Sequence, residues 1–122
     1  MVIDDDVLAL EVAGERLRGA GYEVVLRDEA LGTTRVVREE APDVVLLDLM
    51  MPALNGERIV ELLQGTAATR KVAVVLHSSK EGAELATILE ETGAAAAITK
   101  TSSDSGFVQQ FDRAVASLGL SK

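Results

Sequence analysis

Four groups of polar residues stand where apolar runs end, and their types suit the chemistry of a divalent cation and a phosphoryl group. Asp4, Asp5 and Asp6 follow the run Met1–Ile3, and Asp48 closes the run Val44–Leu47. His77, Ser78 and Ser79 follow Val72–Leu76, and Thr99, Lys100 and Thr101 follow Ala95–Ile98. On one rim these would bring together several carboxylates, a hydroxyl and an ammonium. Mg²⁺ takes oxygen ligands in near-octahedral geometry, usually one or two carboxylates completed by water and phosphate oxygens. Asp5 and Asp48 suit the carboxylate positions, with Asp4 acting directly or through a water. Clustered carboxylates repel one another, so the cluster needs a cation to neutralise it. Asp48 could then act as a nucleophile, as carboxylates do in forming aspartyl-phosphates. The metal and Lys100 would offset charge on the transferring group, and Ser78 can donate a hydrogen bond to a phosphoryl oxygen. Two neighbours read differently. Asp6 is expected to cap the helix that follows, and His77, a lone imidazole, lacks the second nitrogen or thiolate of a zinc site.

For these residues to meet, the apolar runs must lie side by side. Val44–Leu47 and Val72–Leu76 are continuous rather than alternating, the pattern of parallel strands covered on both faces. Met1–Ile3, Val24–Leu26 and Ala95–Ile98 complete a set of five runs. Helical spacing separates them. Leu10, Ala13, Leu17 and Ala20 mark the first helix, with Glu15, Arg16 and Arg18 turned elsewhere. A second helix spans about Ala30–Glu40, diluted by Gly32 and its threonines. Ile59, Leu62 and Leu63 mark a third, Leu85, Ile88 and Leu89 a fourth, and Phe107, Phe111, Ala114 and Leu118 the last. Gly21, Gly65 and Gly93 each follow a helical run, where left-handed angles are wanted. Pro42 precedes the third strand and Pro52 follows it, with Asn55 and Gly56 shaping the start of the third helix. The reading is a (βα)5 chain with a five-stranded parallel sheet and helices on both faces. Ligands bind outside the carboxyl ends of such strands, which is where the polar groups fall. The first strand reads as short, consistent with a natural chain that starts upstream.

Composition narrows the field. The 122 residues, 48% of them hydrophobic, suit one domain over 1–122 with its own core. With no cysteine there is no disulfide framework, thiolate metal site or cysteine nucleophile. The apolar runs are too short to span a bilayer, and no basic segment precedes an apolar one as in a secretory signal. A net charge of −8 argues against direct nucleic-acid binding. The expectation is a soluble cytoplasmic domain with no membrane partner.

The segments VIDDD (2–6), VVLLDLMMPALNG (44–56), VVLHSS (74–79) and ITK (98–100) resemble a response-regulator receiver domain of two-component signalling. The resemblance covers essentially the whole chain, with its motifs in order at the expected strand ends. It implies a flavodoxin-like sheet in the order 2-1-3-4-5, with Asp48 as phospho-acceptor. The donor would be a histidine kinase or phosphotransfer protein, and the output a downstream protein or attached domain. It implies Mg²⁺ held by Asp5, Asp48 and the backbone carbonyl of Met50, with Asp4 assisting. Ser78 and Lys100 take the family's hydroxyl and lysine roles. The chemistry would be self-catalysed and regulatory, so no metabolic enzyme is expected. The surface from about Lys80 to Val115 would change with phosphorylation.

Two departures stand out. Ala97 occupies the place of an aromatic residue that turns inward in many receivers, so that switch is absent here. Thr101 replaces the usual cis-proline after Lys100. A cis bond without proline costs about 3–4 kcal/mol, so this peptide is expected to be trans or locally strained. These departures leave an alternative with the same fold, a phosphorylation-independent interaction module. A small aspartyl-phosphate hydrolase fits less well, because Met50 stands where its second aspartate often does. A flavin carrier fits least, since three aspartates after the first strand would repel a cofactor phosphate.

Overall fold

Val45, Leu46 and Leu47 point alternately to the two faces of a sheet, and each face is closed by its own helices. The computed structural model describes residues 1–29, 31–49, 56–65, 67, 69–101 and 103–120. Met50, Pro52 and Asn55 therefore lie outside the described residues, as do Ala30 and the Met50 carbonyl expected to bind metal. The elements are β1 (Val2–Ile3), α1 (Val7–Gly19), β2 (Leu26–Arg27), α2 (Thr33–Glu40) and β3 (Val44–Asp48). They continue with α3 (Gly56–Gln64), β4 (Ala73–Ser78), α4 (Gly82–Thr92), β5 (Ala96–Thr99) and α5 (Asp104–Ser117). The strands are parallel in the order β2-β1-β3-β4-β5, as the resemblance implies.

Two cores follow from the period-two alternation of strand side chains. Val2, Leu46, Val75 and Ile98 meet Leu10, Ala13 and Leu17 of α1 and Phe107, Phe111 and Val115 of α5. Ile3, Val45, Leu47, Val74 and Leu76 meet Val37 of α2 and Val60 and Leu63 of α3. This two-sided burial explains the continuous Val/Leu runs. Carried to the strand ends, the same alternation puts Asp4, Asp48, His77 and Lys100 on the side of α1 and α5, and Ser78 on the other.

Several expected boundaries move. β4 runs on through His77 and Ser78, because Asp48 pairs with His77 on one side and Thr99 with Ser78 on the other. β2 lies at Leu26–Arg27 rather than Val24–Leu26, since its partner β1 offers only Val2 and Ile3 for pairing. α2 starts at Thr33, not Ala30, because Gly32 sits at φ 78°, outside the helical region. On α3 the covered stripe is Ile59, Val60 and Leu63, while Leu62 is 40% exposed. Gly21 and Gly93 take the positive φ expected of them, but Gly65 does not; its N–H makes an ordinary helical bond to Glu61 at 2.9 Å. Arg16 is not turned away to solvent either, its side chain being only 15% exposed. No cis peptide occurs among the described residues, so Lys100–Thr101 is trans.

Candidate functional site

Asp4 and Asp48 lie at the carboxyl ends of neighbouring strands, β1 and β3, and Asp5 follows in the turn to α1. One carboxylate oxygen from each of Asp4, Asp5 and Asp48 lies within 4.8 Å of the others. Asp4 and Asp48 are buried and Asp5 is exposed, so the cluster opens to solvent on one side. Lys100, one residue beyond β5, reaches across β4 to place Nζ 2.8 Å from Asp48 Oδ1. Asp6 does what its place in the sequence suggests. Its side chain accepts from the Leu8 and Ala9 amides at 3.1 and 3.3 Å, starting α1. Asp4 Oδ1 accepts from the Asp6 amide at 2.9 Å, which fixes the turn that presents Asp5.

Ser78 is buried at the end of β4. Its Oγ accepts from the Lys80 amide at 3.1 Å, leaving the hydroxyl proton available to another acceptor. Its carbonyl takes the Lys100 amide at 2.7 Å, so hydroxyl and lysine are set by one backbone contact. The Lys80 carbonyl accepts from Thr99 Oγ1 at 3.1 Å. The Gln110 side chain on α5 then holds the Thr99 backbone from both sides, accepting from its N–H and donating to its carbonyl, each at 3.0 Å. His77 packs its ring 5.3 Å from that of Phe107. Burial, aided by Lys100, lowers its pKa to about 4, so the ring is neutral near pH 7 where it packs on Phe107. A cavity of about 330 Å³ lies beside the cluster, lined among others by Asp4, Asp48, His77, Lys100 and Phe107.

Electrostatics shows what the cluster lacks. Burial raises the Asp4 carboxyl from its ordinary 3.8 to about 6, against the Asp6 amide and with the Asp48 carboxylate adding to the rise. One lysine faces three carboxylates, and a divalent ion fits the remaining imbalance with the oxygen donors it prefers. The donor set thus suits Mg²⁺. A stability consequence follows for the metal-free protein. The folded state holds the Asp4 proton more tightly than the unfolded chain, so folding takes up a proton between about pH 4 and about pH 6. Measured against Asp4→Asn, which cannot ionise there, wild-type stability is expected to fall as pH rises through that window. Urea midpoints of both proteins across the range check this, and a difference that grows in wild type's favour would contradict it.

The structure brings Asp4, Asp5, Asp48, Ser78 and Lys100 to one rim, as expected. Arg16 and Gln110 were not foreseen. Arg16 looked like one more charge on an amphipathic helix, and no local signal announces that its partners lie near residue 100. Gln110 carries no signal either, since its bonds to Thr99 depend on how α5 crosses the sheet edge.

A family model described as the response regulator receiver domain matches residues 1–112. Among curated proteins, the chain is 37% identical over 102 residues to protein-glutamate methylesterase/protein-glutamine glutaminase 5 of Myxococcus xanthus, covering 82% of this chain and 29% of that protein. It is 36% identical over 85 residues to DNA-binding response regulator MtrA of Mycobacterium leprae, covering 62% of this chain and 38% of that protein. The chain therefore spans well under half the length of either relative. Among solved structures, the chemotaxis protein CheY4 of Vibrio cholerae aligns with TM-score 0.79 at 18% identity, over 93% of this chain and 94% of that one. A signal receiver domain of a histidine kinase from Syntrophus aciditrophicus aligns with TM-score 0.78 at 21% identity, over 99% and 92%. At these identities the structures share the fold. Among the described residues, no helix is long and apolar enough to cross a membrane.

Proposed function

The chain belongs to the response regulator receiver domain family of two-component signalling, and from that premise we propose that it accepts a phosphoryl group on Asp48 and changes conformation in response. The carrying observation is the cluster itself, three carboxylates within 4.8 Å with the Lys100 ammonium 2.8 Å from Asp48. A phosphohistidine of a histidine kinase or phosphotransfer protein is the donor. A carboxylate oxygen of Asp48 attacks phosphorus, the O–P bond forms, and the P–N bond breaks with its electron pair returning to the donor imidazole. Lys100 stands where the negative charge of the transferring group collects, and the Ser78 hydroxyl can donate to one of its oxygens. Mg²⁺ held by Asp5, Asp48 and the Met50 carbonyl, with Asp4 assisting, would supply further charge compensation when bound. Asp4 orders the turn that carries Asp5.

The response to phosphorylation begins at Ser78. Ala97 offers no ring to reorient, so the contacts leading from Ser78 towards α5 are the hydrogen bonds at Lys80, Thr99 and Gln110. Phosphorylation biases that set of contacts between two arrangements, and the surface formed by α4, β5 and α5 carries the difference to a downstream protein or output domain. Residues 1–122 form one such domain, with no direct contact to nucleic acid or membrane, working in the cytoplasm.

Incubation with acetyl phosphate and Mg²⁺, followed by mass spectrometry of the intact protein, tests this reading. Wild type is expected to gain one acid- and base-labile phosphoryl group, and Asp48→Asn and metal-free samples are expected to gain none. A folded wild type that stays unlabelled would overturn the proposal in favour of a phosphorylation-independent interaction module.

A further inference from the structure

We propose that Arg16, on the first helix, is a positioning residue for Lys100, pinning the segment after β5 so that the ammonium stays on Asp48. The inference rests on the phospho-acceptor reading of the same site. Lys100 carries a long, flexible stem, and a lysine held in one geometry loses considerable rotamer freedom. The backbone that follows is tied within itself, the Thr101 hydroxyl accepting from the Ser103 amide at 3.2 Å and the Ser103 hydroxyl from the Gly106 amide at 3.1 Å. Beyond the Ser78 carbonyl on the Lys100 amide, a further restraint comes from across the fold. Arg16 Nη1 donates to the Thr101 carbonyl at 3.2 Å, one residue beyond Lys100. Arg16 Nε lies 2.6 Å from Asp104 Oδ1, at the first residue of α5. The guanidinium also stands over the Phe107 ring, 5.5 Å from its centroid.

These contacts fix the segment at both ends and anchor the cation on a buried ring. Their weights differ. Asp104 is 80% exposed and the Arg16 side chain 15%, so the ion pair alone is largely screened by water. The carbonyl and ring contacts are the sheltered ones; an ammonium could make either alone, but the broad planar guanidinium makes both together with the Asp104 contact. Arg16 thus acts through Lys100, by way of the Thr101 carbonyl.

The test compares wild type, Arg16→Ala, Arg16→Lys, Lys100→Ala and the Arg16→Ala/Lys100→Ala double variant. Two readouts are taken: the rate of Mg²⁺-dependent labelling by acetyl phosphate, and the order of the Lys100 ammonium from ¹⁵N NMR relaxation. Arg16→Ala is expected to label about tenfold more slowly, less than the roughly hundredfold that a 1 Å misplacement can cost, because the Ser78 carbonyl still holds the Lys100 amide. Its Lys100 ammonium should become as mobile as that of exposed Lys71. Arg16→Lys should rescue neither readout, and in the Lys100→Ala background Arg16→Ala should cost nothing further. A Lys100 ammonium that stays ordered in Arg16→Ala, or a full additional rate loss in the double variant, would overturn the proposal. If wild type is not labelled at all, the phospho-acceptor reading fails while ammonium order still decides the role of Arg16.

Discussion

Lys100→Ala is expected to slow phosphorylation of Asp48 by a small phosphodonor about a hundredfold, the scale of loss seen when one preorganised charge-stabilising donor is removed. The ammonium sits 2.8 Å from Asp48 and is partly shielded, its side chain 33% exposed, so it acts in a medium less screening than bulk water. It is also the cation that offsets Asp4 and Asp48 before any metal arrives. Removing it should therefore have a second effect of opposite sign. With one positive charge gone, Mg²⁺ meets less repulsion, and its affinity measured by calorimetry is expected to rise. Slow labelling together with tighter Mg²⁺ binding separates loss of charge stabilisation from general damage, which would weaken both. Labelling at the wild-type rate would show that the ammonium serves only to balance charge in the resting protein.

The site was legible because its members stand at strand ends, where a change from apolar to polar residues marks where the chain leaves the sheet. Asp48 after Val44–Leu47 and Asp4 after Met1–Ile3 are such points, and parallel strands carry their carboxyl ends to one rim. The short continuous runs of β3 and β4, bounded by polar residues and rich in Val, fit strands buried on both faces. What stayed hidden depends on partners distant in sequence. The position of β2 follows from which residues of β1 are free to pair, and its own sequence does not contain that information. The start of α2 turned on whether Gly32 would take helical or left-handed angles, both open to a residue without Cβ. On α3, Leu62 and Val60 are equally apolar, and only the packing direction of the helix chose Val60. Arg16 is the clearest case: as a charged residue on an amphipathic helix it suggests solvent, whereas its planar head finds a carbonyl and a ring at the other end of the chain.

Phe107→Ala is expected to cost about 3–5 kcal/mol of folding stability, the usual range for emptying a buried aromatic site. That loss would lower the melting temperature by roughly 10–20 °C for a domain of this size. Phe107 is completely buried and belongs to the core shared by α1, α5 and the sheet. Its ring stacks near that of Phe111, with centroids 6.4 Å apart, and tilts against His77 at 5.3 Å. Arg16 stands over it at 5.5 Å. Truncation therefore removes the packing that holds α5 on the sheet as well as the apolar area itself. Phe107→Leu retains most of the volume and should lose less than half as much, although it gives up the ring contacts. Leu62→Ala supplies the contrast within the same protein: at 40% exposure, its loss is expected to stay below about 1 kcal/mol. Urea midpoints of the three variants provide the comparison. Equal losses at Phe107 and Leu62 would mean that α5 is not seated on the sheet as described, and the route from Ser78 through Thr99 to Gln110 would lose its support.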